Sequence, residues 1–381
     1  LGLGLGATLT GLARPEPDCA AEDGARCHYV AVDGDDEADG SLEAPLRSFQ
    51  AAILRARPGD FIYARGGTYG RDNAVVANMS RLPRSTMGPP CAEGQVEADG
   101  FCQVPYLSFA PIKDWNGYPL PGHSGYESPS GEAGRPITLR NFPGERPVLD
   151  VNALRRDEAI EAALIQSQRP AVSLSKSHWV VRGLEIVGGT INLSGNIEDI
   201  TIEGCDVHDV TLDGGDNPGL IRLNRGPEDV RILNNRLHGI YDHEHPGEWR
   251  GVPDSQHFGA VTTLSGETYG GTDDTGAVEI RGNEIFEVPQ VFFFKNAARG
   301  PIEIVSNDIR RSGTLASIVT SSSTSLPGSG GTVRASPSSA PTIPRSWPSM
   351  GTTSSSSTTR SSAWGRCCRR ATARGACSGT T

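Results

Sequence analysis

No run of apolar residues in this 381-residue chain is long enough to span a bilayer, so no membrane-spanning helix is expected. Acidic residues are missing altogether from Arg310 to Thr381, a stretch with nine arginines and no lysine. The remainder therefore holds 26 of the 35 basic residues against all 45 acidic ones, a balance of −19. Phosphate binding needs a basic surface, so nucleic acid is not an expected partner. The same balance gives no long-range attraction toward an anionic polysaccharide. Zinc-ligand spacing is lacking too, because neither Cys19 and Cys27 nor Cys91 and Cys102 have the accompanying His or Cys of a metal site. Each pair is close enough in sequence to close a short loop as a disulfide, which suits an oxidising compartment. Cys19 has no lipobox before it, which argues against a lipoprotein. There is no initiator Met and no basic n-region, and the first residues read Leu1-Gly-Leu-Gly-Leu-Gly-Ala-Thr-Leu-Thr-Gly-Leu-Ala13. They fit the back half of a signal peptide cleaved after Ala13, the alternative being a disordered apolar N-terminus. Secretion, to the periplasm or the extracellular space, is the expectation.

What the chain does have is a repeat. Five segments share one pattern: Trp179-Val-Val-Arg-Gly-Leu-Glu-Ile186, Ile200-Thr-Ile-Glu-Gly-Cys-Asp-Val207, Val230-Arg-Ile-Leu-Asn-Asn-Arg-Leu237, Val278-Glu-Ile-Arg-Gly-Asn-Glu-Ile285 and Ile302-Glu-Ile-Val-Ser-Asn-Asp-Ile309. Alternation with period 2 predicts strands with the apolar residues facing inward. The third template residue recurs after 21, 30, 48 and 24 residues, at Val181, Ile202, Ile232, Ile280 and Ile304. The short steps set a coil length and the long ones contain loops. A shorter strand precedes each template segment: Val172–Leu174, Ile191–Leu193, Ile221–Leu223, Val261–Leu264 and Val291–Phe293. So small a unit cannot bury its own core, and coils must stack. Asn235, Asn283 and Asn307 share one template position with Cys205. Stacked coil on coil, the asparagines predict an amide ladder that satisfies buried backbone groups, with Cys205 a buried, free thiol. The fold predicted is an all-β, right-handed parallel β-helix. Pro45–Arg57 reads as a short capping helix with Leu46, Phe49, Ile53 and Ala56 on one face.

The opening segments carry a family resemblance. Tyr29-Val-Ala-Val-Asp-Gly-Asp-Asp36, Gly40-Ser-Leu-Glu-Ala-Pro45, Ala56-Arg-Pro-Gly-Asp60 and Arg65-Gly-Gly-Thr-Tyr69 resemble the start of secreted right-handed β-helix proteins of the pectate-lyase-like superfamily. Gly134-Arg-Pro-Ile-Thr-Leu139 and Phe142-Pro-Gly-Glu-Arg-Pro-Val-Leu-Asp150 are similar to the next coil of that family. The resemblance implies the fold, while lyases, hydrolases, epimerases and non-enzymatic surface proteins all share it. The expected layout is a signal-peptide remnant and linker over 1–27, the β-helix over 28–312, and a low-complexity tail over 313–381. That tail reads as a flexible stalk or as out-of-frame translation, with irregular structure after about Gly313.

A solenoid does its work on one strand face, rimmed by the loops that interrupt the repeat. The insertions Leu212–Pro218, Tyr241–Phe258, Gly266–Gly276 and Lys295–Gly300 all border the short-strand sheet. Alternation points Asn192, Arg222 and Thr262 outward there, with Phe292 beside them, as a substrate-binding floor to which Arg250 is added. Asp213 and Asp216 in one loop, and Asp242 and Glu244 in the next, form an oxygen-donor set that suits Ca²⁺, or else a charged, solvated surface. Lys295 follows the apolar run Val291-Phe-Phe-Phe294, and a lysine acts as a general base when burial or neighbouring cations lower its pKa. Lys295-Asn-Ala-Ala with Ser306-Asn307-Asp308 resembles the region around the lysine of chondroitinase B-type and alginate lyases, although phenylalanines stand where those enzymes carry a Glu-x-Glu calcium pair. The resemblance implies Lys295 as base, with Arg222 or Ca²⁺ as neutraliser and His257 beside them. The long loop Asn78–Glu132 holds aromatic rings that would stack on sugars or simply pack on the coil. Three functions stay open: a lyase acting on an extracellular polysaccharide, a non-catalytic adhesive or carbohydrate-binding β-helix, and a glycoside hydrolase with Asp213 and Asp242 as its carboxylate pair.

Overall fold

The computed structural model describes residues 24–83, 96–98, 101–114, 125–156, 170–212, 219–242, 247–251, 259–264, 275–295, 300–319 and 333–336. The chain opens with strand β1 (Cys27–Val30) and helix α1 (Phe49–Arg55). Seven coils follow. The first contains β2 (Phe61–Ala64) and β3 (Gly67–Tyr69). An antiparallel excursion of β4 (Val75–Pro83), β5 (Val96–Ala98) and β6 (Phe101–Ser108) then leads into β7 (Ala110–Ile112). The second holds β8 (Ile137–Asn141), β9 (Pro147–Asp150) and β10 (Pro170–Leu174), and the third β11 (Trp179–Arg182), β12 (Glu185–Val187) and β13 (Thr190–Ser194). In the fourth are β14 (Glu198–Glu203), β15 (Asp206–Leu212) and β16 (Gly219–Asn224), and in the fifth β17 (Glu228–Leu233), β18 (Arg236–Asp242) and β19 (Gly259–Leu264). The last two coils have β20 (Val278–Arg281) with β21 (Glu284–Lys295), and β22 (Ile302–Val305) with β23 (Asp308–Val319); β24 (Val333–Ser336) comes after them.

First strands pair only with first strands, in the order β1-β2-β8-β11-β14-β17-β20-β22-β24, and every pair is parallel. Second and third strands form two further parallel stacks, joined at one end because β21 runs unbroken through both positions. This is a parallel β-helix. Val181, Ile202, Ile232, Ile280 and Ile304 stand in one register column. Ile202, Ile232 and Ile280 are fully buried, whereas Ile304, in the last coil, is only half-buried.

Each eight-residue template turns out to be two strands in two sheets. The chain bends at the fifth template residue, where Gly183, Gly204, Asn234, Gly282 and Ser306 all have positive φ of 54–69°. The next residue is the ladder position. There the backbone N–H of Cys205 donates to Asn235 Oδ1 at 2.9 Å, that of Asn235 to Asn283 Oδ1 at 2.9 Å, and that of Asn283 to Asn307 Oδ1 at 2.9 Å. The amide groups also donate back to Ile202 O, Ile232 O and Ile280 O at 2.9–3.0 Å. A bend that removes backbone acceptors from the sheet pattern is thus capped by the side chain of the coil above. Cys205 is buried and free, as expected, and burial pushes its thiol pKa up to about 12.

Helix α1 is shorter than the expected Pro45–Arg57. Leu46 is held outside it by β1, donating to Tyr29 O and accepting from Ala31 N, each at 2.8 Å. Ser48 caps the helix through its side chain, and Leu46, Phe49, Ile53 and Ala56 are all buried. Cys27 takes part in a disulfide, while Cys19 and Cys91 lie outside the described residues. At the other end the strands pass the expected limit of Ser312. β23 pairs with β21 as far as Lys295↔Val319, and β24 pairs with β22. The rest of the tail lies outside the described residues. Among the described residues no helix is long and apolar enough to cross a membrane.

Beneath α1 sits Asp60, whose carboxylate accepts from Arg26 N and Nη2, from Arg57 N and from His28 Nε2. Burial pushes its pKa up, but these hydrogen bonds outweigh burial and hold it below the usual carboxylate value of 3.8. Burial likewise holds His28 below 6.5. Both folded pKa values lie below the unfolded ones, so both groups give stability that is complete above the unfolded pKa and lost as pH falls. Urea unfolding is therefore expected to show stability falling first below about pH 6.5 and again below about pH 4. The deficit of Asp60→Asn relative to the parent should shrink through the second step. A deficit independent of pH would overturn this account.

Candidate functional site

The third strands build the face on which most of the sequence-predicted residues stand. One register column runs Pro111, Ser173, Asn192, Arg222, Thr262, Phe293 across β7, β10, β13, β16, β19 and β21. The neighbouring column, Val172, Ile191, Ile221, Val261 and Phe292, lies wholly within the hydrophobic core. Strand alternation therefore points the first column outward, as expected for Asn192, Arg222 and Thr262. Phe292 is a correction. It pairs with Val261, is 1% exposed, and its ring lies 5.9 Å from that of Phe294 inside the core. Phe293 is the ring on the outer face. A run of three phenylalanines has no alternation by which to choose between them.

Lys295 is half-buried and has the same outward parity as Phe293, two residues further along β21. Its partner across the sheet is Leu264, which in turn stands opposite Asn224. Lys295 and Arg222 therefore share one face, two strands and one outward position apart. Thr262 lies between them, fully buried. Thr262 Oγ1 and Asn192 Oδ1 are both buried without a hydrogen-bond partner among the described residues. Gly219, which sequence reasoning passed over, makes room there, since a Cβ on it would come within 2.6 Å of Thr262 Oγ1.

Arg250 is exposed on a short 3₁₀ helix (Trp249–Gly251), with its guanidinium 5.1 Å from the Trp249 ring centroid. Asp242 ends β18 directly across from Leu212, the last residue of β15. The two acidic loops thus leave adjacent strands at one level. Asp213, Asp216, Glu244 and His257 themselves lie outside the described residues. A hollow of about 350 Å³ occurs elsewhere, on the first sheet beside Arg231, Glu279 and Glu303.

A second cluster escaped sequence reasoning because it brings together residues of successive coils, with His208 and His238 30 residues apart. On the outer face of the second strands, the His208 and His238 rings stack 4.8 Å apart at 3°, and Phe286 stacks on His238 at 4.4 Å. His238 Nε2 contacts Asp206 Oδ1 at 3.0 Å, and His208 Nε2 contacts Glu185 Oε1 at 3.3 Å. Burial raises the Asp206 pKa, but the His238 hydrogen bond and the charges on His238, Arg236 and His208 bring it below the usual value. Asp206, His208 and His238 offer ligand atoms within 4.8 Å of one another. However, lone pairs of two parallel stacked rings run side by side and do not converge on one ion, so the cluster is a stack stitched by carboxylates.

A curated relative, pectate lyase PEL9 of Emericella nidulans, is 54% identical over 163 residues, which make up 42% of this chain and 28% of that protein. The chain thus spans little more than a quarter of the curated relative it matches. Among solved structures, pectate lyase Pel9A is similar with a TM-score of 0.44 and 18% identity over 77% of this chain and 58% of that one. A rhamnogalacturonan lyase gives a TM-score of 0.42 and 14% identity over 77% and 65%. The model of the family described as "Pel9A-like, right handed beta helix region" matches residues 28–271, well over half of the chain, and the chain belongs to that family.

Proposed function

We propose that this chain is the β-helical part of a secreted polysaccharide lyase that cleaves a polyuronate by β-elimination. The observation that carries this reading is the placement of Lys295 and Arg222 on one outward face of a continuous parallel sheet. Lys295 takes the proton on C5 of a uronate ring. The electron pair left behind forms the C4–C5 double bond, the C4–O bond breaks, and the departing oxygen takes a proton from solvent. Arg222 holds the ring's carboxylate, where negative charge builds as C5 loses its proton. Asn192 and Thr262 flank Arg222 in that column as the floor of the substrate-binding face. The carboxylates of Asp213, Asp216, Asp242 and Glu244 are the hard oxygen donors Ca²⁺ takes, and the Leu212↔Asp242 register starts their two loops side by side. When bound, the ion neutralises a substrate carboxylate. His257 belongs to the second of those loops, and Arg250 to its exposed flank.

The test is absorbance of unsaturated products from a panel of polyuronates, with and without EDTA. Activity on at least one polyuronate is expected, with most of it lost in EDTA and restored by Ca²⁺. Reducing ends released without unsaturated product would show a hydrolase, and glycan binding without turnover an adhesive protein. Either result would replace the lyase reading. Activity that survives EDTA would remove only the calcium assignment.

A further inference from the structure

The short helix Trp249–Gly251 belongs to the segment that leaves β18 at Asp242 and returns at Gly259 to begin β19, the strand on which Thr262 stands opposite Arg222. It rests against β18 and against β21, the strand that ends in Lys295. Trp249 is half-buried there, yet it belongs to neither hydrophobic cluster of the fold. Trp179 shows how this chain uses a tryptophan for structure: it is fully buried in the core, and its Nε1 donates to Pro129 O at 3.0 Å. The Trp249 indole N–H has no such acceptor among the described residues. What the ring does have is the Arg250 guanidinium, 5.1 Å from its centroid. Arg250 is exposed and makes no ion pair among the described residues. An indole that packs into no core thus stands beside a guanidinium with no counter-charge, and cation–π attraction holds the two together.

We propose that Trp249 and Arg250 together form a uronate-binding position at the edge of the lyase face, the indole stacking on a sugar ring and the guanidinium taking that ring's carboxylate; this rests on the polyuronate reading above. A pyranose ring presents C–H groups on a face, which suit a π-surface, and hydroxyls around its rim, which suit an indole N–H without an acceptor. A uronate adds a carboxylate at the ring's edge, and a planar guanidinium meets a carboxylate with two parallel N–H donors. A neutral sugar would use only the indole and a small anion only the guanidinium, so the pair favours the ring that carries both. The two side chains already lie together, so little of their freedom is lost when the sugar arrives. Neither touches the bond that breaks. Their contribution is binding shared by ground state and transition state, and it belongs in KM.

The experiment is titration with oligogalacturonates and oligoalginates, followed by calorimetry and by tryptophan fluorescence, in a Lys295→Ala background so that the sugar stays intact. Binding should change the tryptophan emission. Trp249→Phe should remove that change while keeping most of the affinity, since a phenyl ring still stacks. Trp249→Ala and Arg250→Gln should each weaken binding roughly tenfold. With Lys295 restored, both should raise KM by a similar factor and affect kcat much less. An emission change that persists in Trp249→Phe overturns the position and leaves the lyase reading standing. So does calorimetric binding with no emission change, and so does either Trp249→Ala or Arg250→Gln binding as tightly as the background protein. A background protein that binds no oligouronide of the panel overturns the polyuronate reading itself. If Trp249→Ala fails to fold, the emission of Trp249→Phe and the affinity of Arg250→Gln decide.

Discussion

Replacing Lys295 by alanine is expected to slow β-elimination by about 10²- to 10⁴-fold, the usual contribution of a positioned general base. That loss corresponds to roughly 3–5 kcal/mol of transition-state stabilisation. It should fall on kcat more than on KM, because proton transfer occurs only in the transition state. The geometry supports this. Lys295 emerges from the end of a twelve-residue strand whose inward side chains are locked in the core, so its Cα position is fixed by packing and not by a loop. Phe293, on the same side of β21 and 1% exposed, restricts water on that flank. Arg222→Ala should behave differently: an arginine that holds a carboxylate contributes to binding as well as to charge stabilisation, so KM should rise together with a fall in kcat. Lys295→Arg keeps the charge, but a guanidinium does not give up its own proton and so cannot take one from C5, and the variant should be nearly as inactive as alanine. Full activity of Lys295→Ala on a polyuronate that the parent cleaves would remove this residue from the mechanism.

The fold was legible in the sequence because it is periodic. Alternating Ile and Val set the strands, and steps of 21 and 24 residues set the coil. The column of Asn235, Asn283 and Asn307 marked the bend. The split of each template into two strands was less visible, although Gly183, Gly204, Asn234 and Gly282 carry the signal: these are the residue types that adopt positive φ at least cost. Ser306 does the same work without that signature. Which residues face outward was legible only where alternation is clean, as for Asn192, Arg222 and Thr262. It fails in Phe292-Phe-Phe294, where the neighbouring strand and not the local pattern decides which ring faces the core. The His208–His238 stack depends on register between β15 and β18, a relation between residues 30 apart that no local spacing shows.

Asn283→Ala should cost about 3–5 kcal/mol of folding stability, a large part of the total for an ordinary domain. Asn283 is fully buried. Its Oδ1 accepts from Asn235 N at 2.9 Å and Asn235 Nδ2 at 3.0 Å, and its Nδ2 donates to Ile232 O at 2.9 Å. Alanine leaves the buried N–H and Nδ2 of Asn235 without their acceptor and takes from Ile232 O its amide donor. Each such group costs roughly 1–3 kcal/mol, and the void left by the amide adds to that. Asn283→Asp should be no better: its carboxylate keeps the acceptor for Asn235, but its second oxygen would face Ile232 O and Asn307 Oδ1, which need a donor. Asn307→Ala, at the half-exposed end of the ladder, should cost clearly less, since water can reach the groups it releases. Urea unfolding of the three variants distinguishes a cooperative ladder from three independent asparagines. Equal losses at positions 283 and 307, or a loss below about 1 kcal/mol at 283, would show that water replaces the amides and that the coils are held by their apolar columns alone.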